Sequence, residues 1–303
     1  MQRNNLNNFE IFMKKEYLRE SFFQKKFNSD YKSIPVIDKI HWNKIFQQEL
    51  RNFLIDKFNV PTDLDLKDTH RHIDKKYFKI QVGDTAANDR TIFNTSIFEL
   101  SERIDDTYKD FLFWVRQNLI KQDFYFQKTP TIRVHMPGVD MLYPKWHSDS
   151  FLGHSPRNIN IWLGLTDNKH SDFWAMDVAA SKEWFKKYGY NKENFIADAE
   201  ESDLDFDSHG FNNSFEVNEI FNSIFVFDSR CIHTALHRTE KDLTTRFSID
   251  TRVLPTKDYK WIIIDNKPVF VGTGVKKAEF RPGHPYGYAD KTIEEALREQ
   301  NEV

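Results

Sequence analysis

The 303-residue chain has little of what several specialised protein classes require. It holds one cysteine, Cys231. No internal disulfide can form, which excludes a disulfide-stapled secreted scaffold. No apolar run approaches the ~18 residues of a membrane span. The stretch Met1-Gln2-Arg3-Asn4-Asn5-Leu6 lacks the apolar core of a signal peptide, so a cytoplasmic location is expected. Charge of one sign is also missing. The formal net charge is −3, spread along the chain, and argues against nucleic acid or an anionic membrane as partner. There is no internal repeat and no low-complexity tract. What is plentiful is aromatic: 28 Phe and an aromatic content of 15 % favour a packed core over disorder.

The chain changes texture near its middle. Residues 1–34 are polar and basic with scattered aromatics, and 9–28 reads as an amphipathic helix docked on the body. Trp42, Ile45, Phe46, Leu50, Phe53, Leu54 and Phe58 fall at helical spacing within Asp38–Phe58, with Asp38 as N-cap. A short strand is expected at Tyr77–Val82. Ile104, Tyr108, Phe111, Leu112, Val115 and Leu119 mark a helix from Ser101, its N-cap, to Leu119. From about Pro130 the period becomes that of strands. These are expected at Thr131–Met136, Asn158–Leu165, Phe173–Met176, Ser223–Phe227, Cys231–Leu236 and Thr245–Val253. Between them lie a short helix at Ser181–Tyr188 and an acidic loop at Asp198–Asp207. A hairpin around Asn266-Lys267-Pro268, a loop at 281–287 and a helix at Thr292–Gln300 close the chain. Helices followed by short strands predict an α+β fold, with helices packed on an antiparallel sandwich or jelly roll.

Two stretches carry chemistry. In Trp146-His147-Ser148-Asp149-Ser150, the imidazole and carboxylate stand two positions apart and share one face of an extended chain. Far downstream, Asp228-Ser229-Arg230-Cys231-Ile232-His233 supplies a second imidazole. Two His and one carboxylate occupy one face of an octahedral ion and leave three positions open, the facial triad of non-haem Fe(II) oxygenases. His237 competes with His233, but it sits among polar turn residues only nine positions before Arg246, which favours His233. A hairpin turning near Thr239–Lys241 sets Arg246 beside His233, where its planar fork suits the distal carboxylate of a 2-oxo acid. Ser248 shares that strand face. The spacing in Asp203-x-Asp205-x-Asp207 hints at a calcium loop but fails the EF-hand pattern at Gly210 and Ser214.

Over roughly residues 129–255 the chain resembles the double-stranded β-helix Fe(II)/2-oxoglutarate dioxygenases. The likeness is to the phytanoyl-CoA dioxygenase-like superfamily, and within it most to proteins of the streptomycin-biosynthesis StrG type. The matching stretches are Trp146–Asp149, Asn158–Asp167 with its Leu-Thr-Asp corner, and Phe227–Thr234 running on to Thr245–Arg252. The resemblance implies iron ligands His147, Asp149 and His233, with Arg246 on 2-oxoglutarate. It also implies cosubstrate or substrate contacts from Arg133, Tyr143 and Asn160. Retention of Asp149 argues against the halogenase variant, in which a halide takes the vacated position. The expectation is one domain over 1–303: a helical part at 1–125, a jelly-roll core at 129–275, an insertion or lid at 190–215 and a tail at 276–303. It would use Fe(II), 2-oxoglutarate and O2 to hydroxylate a small polar molecule such as an amino acid, a sugar or a natural-product intermediate. A peptide hydroxylase of the same fold, and a non-catalytic metal- or sugar-binding β-sandwich, stay open. Oligomeric state is not legible in the sequence.

Overall fold

The computed structural model describes residues 11, 13–35, 41–78, 92–137, 146–152, 154–167, 172–188, 204–218, 221, 223–235, 244–259, 263–264, 267–268 and 288–292. Two antiparallel sheets face each other, and helices cover the outer face of the larger one. The larger sheet runs β1 (Tyr31–Pro35), β7 (Ser223–Asp228), β4 (Ile159–Gly164), β9 (Arg246–Pro255), β2 (Phe124–Gln127) and β12 (Tyr288–Thr292), and β3 (Thr131–His135) also pairs with β9. The smaller sheet runs β6 (Phe215–Glu216), β5 (Phe173–Ala175) and β8 (His233–Ala235), and His147 pairs with His233 at its edge. No helix among the described residues is long and apolar enough to cross a membrane.

Strand alternation explains how the larger sheet serves two layers. Ile159, Ile161 and Leu163 of β4, Ile224 and Val226 of β7, Ile132 and Val134 of β3, and Phe247, Ile249 and Val253 of β9 all join one apolar cluster. That cluster includes Phe46, Leu50 and Leu54 of α2 (Trp42–Phe58), Phe93, Ile97 and Leu100 of α3 (Ile92–Arg103), and Phe111 and Leu112 of α4 (Asp105–Trp114). The alternate residues point inward. Trp162, Phe225 and Phe227 enter a second cluster with Phe173 of β5 and with Trp184 and Phe185 of α5 (Val178–Tyr188). Register therefore decides what each face carries. A buried asparagine fixes the helical layer on the sheet. Asn43 Nδ2 donates to the carbonyls of Gly164 at 2.8 Å and Ser223 at 3.3 Å.

The structure revises several sequence-based expectations. The docked helix expected over 9–28 appears in two pieces: residues 11 and 13–16 are helical, a turn follows at 17–18, and the six-residue α1 (Phe22–Phe27) comes next, with a capping box between Ser21 and Gln24, followed by β1. Helix α2 starts later than expected. Its N-cap is His41, whose Nδ1 accepts from the Lys44 backbone, and Asp38 lies outside the described residues. Ser101 caps nothing: it sits inside α3 and its hydroxyl donates to the carbonyl of Pro130. The single helix expected from Ser101 is instead α3, a break at Ile104, then α4 with a π-helical turn at Val115–Ile120. Lys75–Phe78 forms a 3-10 turn where a strand was expected; the rest of that stretch lies outside the described residues. Part of the acidic loop is helical, as α6 (Leu204–Asn212). Strands at Phe124–Gln127 and Tyr288–Thr292 had no forecast, and they pair with each other. A hairpin does form here, but its second arm, β11 (Lys267–Pro268) on β10 (Ile263–Ile264), occupies the expected turn, and the arm expected at 269–271 lies outside the described residues. Residues 281–287 and 293–300 lie outside the described residues.

Candidate metal centre

The smaller sheet brings the two chemical stretches together. His147 N donates to the His233 carbonyl at 3.0 Å, and His233 N returns the bond to the His147 carbonyl at 2.8 Å. Two residues paired this way project their side chains to the same side, and the imidazole centroids are 4.5 Å apart. Asp149 opens a short 3-10 turn directly after this bridge, at Asp149–Leu152. His147, Asp149 and His233 each offer one ligand atom, and these atoms lie within 4.8 Å of one another. All three residues are buried.

The polar contacts prepare these atoms to bind a cation. His233 Nδ1 lies 3.1 Å from the Cys231 carbonyl, which only a protonated Nδ1 can satisfy. This leaves the Nε2 lone pair directed to the site, 3.9 Å from Asp149 Oδ1. Burial lowers the His233 imidazole pKa more than the Asp149 carboxylate raises it, so the ring is neutral and ligand-ready. Burial alone would raise the Asp149 carboxyl. Arg252, by its charge and its hydrogen bonds, outweighs it and holds Asp149 well below the usual carboxylate range. Cis ligands on an octahedral ion with ~2.1 Å bonds stand about 3 Å apart. The His233–Asp149 pair needs to draw in by about 1 Å from its present spacing, which side-chain rotation can supply. The donor set fits a divalent metal with open positions.

A small cavity of about 40 Å³ lies beside the triad. Its wall combines Arg133, Arg246 and Arg252 with Asp149 and Asp250, so cationic side chains outnumber anionic ones before any metal is counted. Arg246 is 1 % exposed, and it stands opposite His135 in the β3–β9 register. Ser248, two residues on, is buried, and its hydroxyl has no hydrogen-bond partner among the described residues. Trp162 and Phe173, stacked at 4.8 Å, form the apolar wall with Phe227.

Asn160 and Arg133, expected as cosubstrate or substrate contacts, both line the cavity, and each also holds a carboxylate. Asn160 donates to Asp149 Oδ2 at 2.7 Å, and its own Oδ1 has no hydrogen-bond partner among the described residues. Arg133 Nε lies 2.7 Å from Asp250 Oδ2. Tyr143 and His237 lie outside the described residues. The expected lid over 190–215 is, in its described part, a helix packed on Trp146. Gly210 of α6 approaches that indole so closely that a Cβ there would lie 2.2 Å from Cε2.

Sequence reasoning gave no role to Arg252. Its guanidinium grips Asp149 twice, Nε to Oδ2 at 2.7 Å and Nη2 to Oδ1 at 2.9 Å. The available signal was its place six positions after Arg246, on the same strand face. Arg230 was also passed over. It is fully buried, pairs with Asp228 through Nε and Nη2, and donates to the carbonyls of Glu16 and Arg19. Tyr17 returns a bond to the Arg230 carbonyl at 3.0 Å. This knot ties the N-terminal segment to the turn that precedes His233.

No protein-family model and no curated protein matches the chain. Solved structures of similar fold include EctD from S. alaskensis with 2-oxoglutarate and 5-hydroxyectoine, at 12 % identity over 89 % of this chain and 86 % of that one, TM-score 0.43. The same protein with bound Fe matches at 13 % identity over 84 % and 87 %, TM-score 0.44. SnoK, a non-heme α-ketoglutarate-dependent carbocyclase from nogalamycin biosynthesis, matches at 11 % identity over 90 % and 98 %, TM-score 0.39. Likeness at this level assigns no role to any residue.

Proposed function

We propose that the chain is an Fe(II)/2-oxoglutarate-dependent dioxygenase that hydroxylates a small polar molecule. The observation that carries this reading is the convergence of His147, Asp149 and His233, from separate stretches, on one buried point at the wall of a cavity that also holds Arg246. The sheet orders β3-β9-β4-β7 and His147-β8-β5-β6 suit a double-stranded β-helix built as one domain. In this reading the two imidazoles and Asp149 hold Fe(II), and Arg246, with the Ser248 hydroxyl beside it, receives the distal carboxylate of 2-oxoglutarate. The bound iron and cosubstrate supply dioxygen activation coupled to decarboxylation of 2-oxoglutarate to succinate. The protein contributes orientation and dryness. Trp162, Phe173 and Phe227 exclude water from one side, and the excess of arginine in the wall favours an anionic cosubstrate. A small-molecule substrate and a cytoplasmic location complete the proposal.

The direct test is succinate formation from 2-oxoglutarate in air with added Fe(II). His147→Ala and Asp149→Ala should each abolish it. Arg246→Ala should raise the half-saturating 2-oxoglutarate concentration by at least about tenfold, the loss of one charge-assisted bidentate contact. Full turnover in either triad variant would overturn the assignment.

A further inference from the structure

Asp149 is held more completely than an ion pair requires. A carboxylate offers about four lone-pair sites. Three are already filled: Oδ2 accepts from Arg252 Nε and from Asn160 Nδ2, each at 2.7 Å, and Oδ1 accepts from Arg252 Nη2 at 2.9 Å. The lone pair left over is on Oδ1, the oxygen that faces His233 Nε2. Arg252 is itself held from behind. Its Nη1 donates to Gln127 Oε1 at 2.9 Å. The Gln127 amide cannot flip, because its Nε2 donates to the Thr129 carbonyl at 2.8 Å and to Thr131 Oγ1 at 3.0 Å. Gln127, Arg252, Asp149 and Asn160 are all buried. The order is fixed from one end: the Thr129 carbonyl, a pure acceptor, orients the amide, the amide orients the guanidinium, and the guanidinium orients the carboxylate.

From this geometry we infer that Arg252 is a positioning residue for the metal, through Asp149. It presents the carboxylate as a one-oxygen ligand, already aimed when the metal arrives, and Gln127 acts through it. The inference rests on the metal-binding reading of the triad. The guanidinium fork is essential, because a lysine ammonium is a point charge and cannot fix both carboxylate oxygens at once. Arg252 and Gln127 are assigned no contact with the metal, so their substitution reports on aim rather than on loss of a ligand.

The test is anaerobic titration with Co(II), followed by its visible absorption, on the native protein, His147→Ala, Arg252→Lys and Gln127→Leu, with far-UV circular dichroism as a check of folding. The native protein should bind one Co(II), and His147→Ala should lose it. Folded Arg252→Lys should bind at least about tenfold more weakly, the scale on which groups behind metal ligands act. Gln127→Leu should lose affinity by a smaller factor and alter the spectrum in the same direction. A purely structural Arg252 would lower thermal stability but leave the affinity and spectrum of the folded protein unchanged. If folded Arg252→Lys matches the native protein in both, the positioning role is wrong and the triad stands. Should Arg252→Lys not fold, Gln127→Leu decides, and native affinity in that variant overturns the inference. If native Co(II) binding survives His147→Ala, the metal reading falls and this inference falls with it.

Discussion

Gly210→Ala adds a single methyl group and should be costly for a local reason. The new Cβ would lie 2.2 Å from Trp146 Cε2, 2.3 Å from Nε1 and 2.7 Å from Cζ2. Carbon atoms in contact prefer about 3.5–4 Å, so helix and ring must part by more than 1 Å. The indole has nowhere to retreat. It is 1 % exposed, with the Phe211 ring at 5.2 Å and the Trp184 ring at 6.0 Å. Alanine in a helix gains about 0.5–1 kcal/mol over glycine, while overpacking costs about 1–3 kcal/mol. A clash against a confined indole belongs in the upper half of that range, so the net effect should be a loss of about 1–2.5 kcal/mol. In a domain of this size that lowers Tm by about 2–6 °C. Differential scanning calorimetry of the metal-free protein reads it directly. The Trp146→Leu background removes the ring edge made by Cε2, Nε1 and Cζ2, and there the same Gly210→Ala change should cost much less. An unchanged or raised Tm for Gly210→Ala in the native background would refute the close packing of α6 on Trp146.

Two further outcomes test the layers around the site. Glu16 is buried against Arg157, at 2.8 and 3.1 Å, and Arg19. Burial raises its carboxyl, but the two guanidinium groups together bring it below the ordinary value. A depressed folded-state pKa stabilises above the unfolded value near 4.3 and is lost as pH falls through the folded value. Glu16→Gln should therefore destabilise at neutral pH, by about 3 kcal/mol for a broken buried pair, and flatten the stability–pH curve below about pH 4; an unaltered curve from urea titrations across that window counts against the ion pair. Tyr108 joins the helical layer to the sheet, donating to the Gln127 carbonyl at 2.7 Å and meeting the Thr251 hydroxyl. Tyr108→Phe should cost about 1–3 kcal/mol in urea unfolding, because it strands buried partners; a loss below that range would mean that these bonds do little.

What was legible in the sequence follows from how local each signal is. His147 and Asp149 share a face by an i, i+2 spacing, and His233 opens an apolar strand, so the triad could be assembled on paper. The interior strands β4 and β7 were legible as short β-branched and apolar runs, since both of their faces are buried, and β3 and β9 are nearly as fully buried. Arg252 could not be placed, since its partner Asp149 lies 103 positions away and no local pattern links them. Strand β1 was missed for another reason: Tyr31–Pro35 is an edge strand with a mostly exposed surface, and nothing in it alternates. Helix α6 hid behind its acidic residues, while the glycine that seats it against Trp146 looks from sequence alone like a loop residue. Ser101 shows the limit of cap signatures. A serine before an apolar run marks a helix start only if its hydroxyl is free to cap, and here it is committed to Pro130.

The shared strand β9 has a consequence for the order in which the molecule is made. It carries Arg246, Ser248, Asp250 and Arg252 on one face and Phe247, Ile249 and Val253 on the other, and it joins β4 to β2 and β3. During synthesis the ribosome releases His147 and Asp149 long before this strand. Until it emerges, the Asp149 carboxylate has no guanidinium partner, and β4 has only β7 beside it. A nascent chain stopped before residue 246 should therefore hold neither a closed sheet nor an aimed ligand. On the proposed reading of the site, the centre becomes competent for metal only when this last long strand has been delivered.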